Sequence, residues 1–83
     1  MKITVRFFAL YRERVGKARI GLVLDSDATV KDALGQLRLM FPNLAPPNVD
    51  IVVAVNAIYA LPKSVLYNGD EVALIPPVSG GAL

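Results

Sequence analysis

Ala28-Thr29-Val30-Lys31-Asp32-Ala33-Leu34-Gly35-Gln36-Leu37-Arg38-Leu39-Met40-Phe41-Pro42 reads as one amphipathic helix with both ends marked. Thr29 is a favourable N-cap. Asp32, three residues on, makes a capping-box-like pair near the positive end of the helix dipole. Val30, Ala33, Leu34, Leu37 and Phe41 fall at i, i+3, i+4, i+7 and i+11, a single apolar stripe suited to lie on a sheet. Pro42 stops the helix. Gly35 lies off the stripe and costs up to about 1 kcal/mol relative to alanine. Leu39 points to the opposite side and reads as a singly exposed leucine.

Working outward, the flanks alternate like strands. Ile3, Val5 and Phe7 share one face of a strand over 2–8, with Lys2, Thr4, Arg6 and Phe8 on the other. Phe8 is the odd apolar residue on that polar face. Residues 11–17 are polar and end at Gly16, which predicts a loop or a short turn of helix. Ala18, Ile20, Leu22 and Leu24 are in phase in a second strand, so the two strands suggest a hairpin. Beyond the helix, 43–48 is a loop containing Pro46 and Pro47. Ile51 to Val55 is an apolar, β-branched run that reads as an interior strand. Asn56-Ala57 turns it into a short strand over 58–61. Residues 62–70 form a connection ending in the turn signal Asn68-Gly69-Asp70, and Glu71 to Ile75 is the last strand. The order β-β-α-β-β-β predicts an α+β domain over 1–75, one main helix on one face of a mixed sheet, followed by a flexible tail over 76–83.

Composition narrows the chemistry. The 83 residues are 54% hydrophobic and include neither cysteine nor histidine. That leaves no disulfide, no thiolate nucleophile and no imidazole base, and it makes a structural zinc site a poor expectation. A small domain cannot bury so large an apolar fraction completely, and an exposed patch usually marks a partner interface. The run over 49–61 contains Asp50 and Asn56 and is too short to span a bilayer. Arg6 and Arg12 interrupt any secretory signal core, so a cytoplasmic location is expected. Residues 1–19 carry six basic side chains and one acidic one, a balance of +5, against −3 for the remainder. A solvated first hairpin explains this most simply. An acidic partner surface is the alternative; nucleic acid lacks a motif or a basic helix to support it. Asp25 and Asp27 flank Ser26 ahead of the helix and read as turn residues and dipole partners rather than an acid/base pair.

The end of the chain, Pro76-Pro77-Val78-Ser79-Gly80-Gly81-Ala82-Leu83, reads as a stiff base bearing a thin strand. Pro76 to Gly81 would span roughly 20 Å if extended, enough to enter a tunnel on another protein. A frayed terminus is the alternative.

Several stretches carry a resemblance. They are Val5-Arg6-Phe7-Phe8-Ala9 with Arg12-Glu13 and Gly16, Ala28-Thr29-Val30, Phe41-Pro42, Val53-Ala54-Val55-Asn56, Gly69-Asp70-Glu71-Val72-Ala73 and Pro76-Pro77-Val78-Ser79-Gly80-Gly81. In order and spacing they resemble the MoaD/ThiS family of ubiquitin-like β-grasp sulfur carriers, to which molybdopterin synthase small subunits belong. The resemblance covers essentially the whole chain. It implies that the carboxylate of Gly81, after Gly80, is adenylated by an ATP-using, MoeB-like enzyme. The product is then converted to a thiocarboxylate, whose sulfur builds the molybdopterin dithiolene inside a large, MoaE-like subunit, in a heterotetramer. It further implies an apolar docking patch at Phe8, Tyr59 and Ile75, with Arg12 as a polar rim contact and Pro76, Pro77, Val78 and Ser79 threading into the partner. No cofactor is implied on this chain itself, and catalytic groups are expected on the partners. A terminal carboxylate is ionised and a poor electrophile, so external activation is chemically required.

One departure stands out: the chain continues past Gly81 with Ala82-Leu83. Either a protease trims these residues, or the chain is a precursor or an offshoot without carrier activity, or its native end differs. The other functions open to the sequence are sulfur carriage for thiamin, cysteine or tRNA thiolation, and a β-grasp binding module that carries no sulfur.

Overall fold

A computed structural model describes residues 1–77; Val78, Ser79, Gly80, Gly81, Ala82 and Leu83 lie outside the described residues, and with them most of the expected tail. The chain runs β1 (Lys2–Phe7), α1 (Ala9–Val15), β2 (Arg19–Val23), α2 (Val30–Met40), β3 (Val52–Val55), β4 (Ile58–Ala60) and β5 (Glu71–Ile75).

Helix α2 forms as its end signals dictate. The Thr29 backbone N–H donates to Asp32 Oδ2 at 2.9 Å, and the Asp32 N–H donates to Thr29 Oγ1 at 3.3 Å, closing the capping box. Val30, Ala33 and Leu37 are buried, and Leu34 and Phe41 pack partly against the core. Phe41 meets Phe7 edge-on, with ring centroids 5.7 Å apart. Leu39 is exposed.

The sheet is mixed, in the order β2-β1-β5-β3-β4. β1 and β5 are parallel, whereas the β1–β2, β3–β5 and β3–β4 pairs are antiparallel. Ile3, Val5 and Phe7 of β1 lie in the core with Leu22 of β2, Val53 of β3 and Val72 and Leu74 of β5. This is the expected α+β architecture, with a second helix added.

That helix is the short helical alternative expected for residues 11–17, extended back to Ala9. The connection forms the seven-residue α1, which begins at Ala9 and is anchored in the core by Tyr11, only 2% exposed. Gly16 closes α1 at φ 80°, where a side chain would be strained, and its N–H donates to the Arg12 carbonyl at 2.8 Å. β3 and β4 are each one residue shorter than expected, beginning at Val52 and ending at Ala60. Two connections that read as loops also carry fully buried leucines, Leu44 and Leu66. The loop after α2 is clamped from two helices. Arg14 donates to the Leu44 carbonyl at 3.0 Å, and Arg38 donates to the carbonyls of Ala45, Pro46 and Val49.

Candidate functional site

The face of the sheet turned away from α2 carries the residues of interest, because alternation sends the opposite set of side chains there. Strand register builds a row across it: Arg6 stands beside Ala73, Ala73 beside Ala54, and Ala54 beside Tyr59. One step along, Ile75 stands beside Val52. Small alanines in the middle of the row make a floor, and larger side chains rise around it. The resulting hollow holds about 330 Å³ and is lined by Arg6, Phe8, Ala54, Ala57, Tyr59, Glu71, Ala73 and Ile75. Phe8, Tyr59 and Ile75 therefore line one concavity. Tyr59 is 74% exposed, which is uncommon for so large a ring without a partner.

A second hollow of about 370 Å³ adjoins it, sharing Tyr59 and Ile75 and adding Tyr11, Val49, Val52, Pro76 and Pro77. Pro76 is half-buried and Pro77 exposed. The chain thus leaves the domain at the edge of the apolar patch. Arg12 is not part of this constellation. It is exposed on α1 and lines a separate depression with Glu13, Gly16, Lys17 and Ala18. The positions Val78, Ser79, Gly80 and Gly81 lie outside the described residues.

Two polar devices hold the patch in shape. Arg6 pairs with Glu71 at 3.3 Å while its guanidinium lies 4.9 Å from the centre of the Phe8 ring, which favours one orientation of that ring. At the other end, the β3–β4 hairpin turns through Asn56 and Ala57 at φ 50° and 70°. Asn56 fastens this turn to β5. Its Oδ1 accepts from the Glu71 N–H at 3.0 Å, and its Nδ2 donates to Asp70 Oδ1 at 3.0 Å.

Among the described residues, no group of three His, Cys, Asp or Glu side chains is placed to hold a metal ion, and no helix is long and apolar enough to cross a membrane. Asp25, Ser26 and Asp27 line a different hollow with Asp32 and Gln36. Asp27 occupies a turn at φ 71°. Hydrogen bonds from the Thr29 backbone and hydroxyl hold the Asp32 carboxyl below its ordinary value of 3.8. Nothing in that cluster pairs an acid with a base.

The family model described as the ThiS family matches residues 5–81. A molybdopterin synthase sulfur carrier subunit of Chlamydomonas reinhardtii is 40% identical, with 98% of this chain and 100% of that protein covered. The protein of the same name from Arabidopsis thaliana is 36% identical over 98% of this chain and 84% of its own length. Among solved structures, SAMP1 from Haloferax volcanii superposes with a TM-score of 0.86 at 34% identity, covering 98% of this chain and all of the other.

Proposed function

The chain belongs to the ThiS family, and on that footing we propose that it is the sulfur-carrier subunit of a molybdopterin synthase, with Gly81 as the carrier group. The observation that carries this reading is the near-full-length likeness to two sulfur carrier subunits, in a chain whose Gly80-Gly81 pair comes three residues after the patch-lining Pro77.

The chemistry fits a chain without thiols or imidazoles. A peptidase first hydrolyses the Gly81–Ala82 bond, releasing the Gly81 carboxylate. An adenylating enzyme then joins that carboxylate to the AMP portion of ATP, expelling pyrophosphate. A sulfur donor at the sulfide level displaces AMP and leaves a thiocarboxylate, whose sulfur passes to the pterin precursor inside the large subunit while water restores the Gly81 carboxylate. Phe8, Tyr59 and Ile75 form the docking patch, and Val78 and Ser79 lead the terminus inward. This chain contributes position and a backbone carboxylate; the partners contribute ATP and the catalytic groups.

Intact-mass measurement tests the proposal. A chain ending at Gly81, incubated with the adenylating enzyme, ATP and a sulfur donor, is expected to gain the difference between sulfur and oxygen. An unchanged mass overturns the carrier reading. The likeness to SAMP1, by name a small archaeal modifier protein, favours a second reading in which the same terminus serves a different acceptor or sulfur pathway. The large partner that co-purifies with the protein separates the two.

A further inference from the structure

The half of the outer sheet face beside the apolar hollow is cationic. β1 and β2 pair with Arg6 directly opposite Arg19, so two guanidinium side chains share one face where like charges repel. Lys2 joins them. Its side chain lies across Gly21, with Cε 2.8 Å from where a Cβ would stand. Glu71 answers Arg6, but among the described residues no carboxylate lies within ion-pair range of Arg19 or Lys2. Such a pairing weakens the β1–β2 ladder rather than supporting it, and the Arg6–Glu71 pair leaves the charge of Arg19 unanswered. It is continuous with the row that runs from Arg6 through Ala73 and Ala54 to Tyr59.

We infer that this face receives a partner helix that sets a carboxylate between Arg6 and Arg19 and an aliphatic side chain over Ala73 and Ala54. Charge complementarity names the first group, and the alanine-floored hollow names the second. Spacing names the helix. Arg6 and Ala54 lie two strands apart, roughly 10 Å at the usual interstrand distance. Residues i and i+7 of a helix are separated by about 10.5 Å on one face. An extended segment covers that distance in about three residues, which places the two side chains on opposite faces. A polynucleotide would satisfy the arginines but brings no aliphatic group for the hollow. The inference rests on the docking reading above and adds the chemistry of the partner surface.

The test measures affinity for the large molybdopterin synthase subunit encoded by the same genome, using the full chain over a range of salt concentrations. Arg6→Gln/Arg19→Gln is expected to weaken binding about tenfold or more and to flatten its salt dependence. Tyr59→Ala is expected to weaken binding and leave the salt dependence in place. Thermal unfolding of the double variant is expected to change little, since relief of the Arg6–Arg19 repulsion offsets the lost Arg6–Glu71 pair. If the double variant binds like the unaltered chain, the inference fails while the synthase reading stands. If the unaltered chain does not bind, the synthase reading fails and takes the inference with it. A single-stranded oligonucleotide whose binding depends on the two arginines but not on Tyr59 would overturn the helix in favour of nucleic acid.

Discussion

Ala57 occupies a conformation that alanine disfavours. With Asn56 at φ 50° and Ala57 at φ 70°, both central residues of the β3–β4 turn are left-handed, the two-residue geometry usually filled by Asn-Gly. The methyl group costs roughly 1 kcal/mol there. The Asn56 bonds to Asp70 and Glu71 offset that strain by tying the turn to β5. Ala57→Gly is therefore expected to raise unfolding stability by about 0.5–1 kcal/mol, read as a higher denaturant midpoint with an unchanged slope. Asp32 gives a pH signature at the same scale. Its folded-state pKa lies below 3.8, so its contribution is fully present above that value and is lost as pH falls through the folded pKa. Asp32→Asn is expected to lower stability at pH 7 and to flatten the loss between pH 4 and 3, checked by urea unfolding across that range.

Among the elements, the segment between α2 and β3 shows how polar groups can order a chain that lacks regular structure. Arg38 donates to three carbonyls of residues 45–49, and Arg14 holds a fourth at Leu44, so the proline pair is fixed against the helices. Arg38→Met keeps much of the stem while removing the donors. It is expected to lower stability by about 1–2 kcal/mol and to speed amide exchange at Val49, whose N–H donates to the Pro46 carbonyl. This clamp also marks the limit of what the sequence discloses. Helix α2 was legible because its cap, stripe and terminating proline are all local signals, and the strands because alternation survives burial of one face. Tyr11, Leu44 and Leu66 were not legible: none sits in a sustained apolar alternation, and which residue of such a segment is buried depends on what the rest of the fold places over it. The candidate site was half legible for the same reason. Alternation put Phe8, Tyr59 and Ile75 on the outer face, but only the strand order brings them to one hollow and leaves Arg12 in another. The facing of Arg6 and Arg19 was likewise hidden, since pairing register is a property of two strands together.

At the scale of the molecule, the sheet separates two tasks by face. Its inner side, with Leu74 fully buried in the core to which α2 also contributes, supplies cohesion; its outer side leaves Tyr59 three-quarters exposed beside the point where the chain departs. The central parallel pairing of β1 with β5 joins the two ends of the domain, so anything docked over Arg6 and Ile75 bears on a strand pair fixed by the core rather than on a loop. Substitutions on the two faces should therefore fail in different ways. Leu74→Ala removes core packing and is expected to lower stability by about 2–5 kcal/mol, losing partner binding only as the folded fraction falls. Tyr59→Ala removes little buried area and is expected to change stability by no more than about 0.5 kcal/mol. It should nevertheless weaken docking at temperatures where the domain is fully folded. Paired measurements of unfolding and partner affinity on both variants decide the matter. Equal parallel losses for Tyr59→Ala would place that ring in the fold instead of the interface.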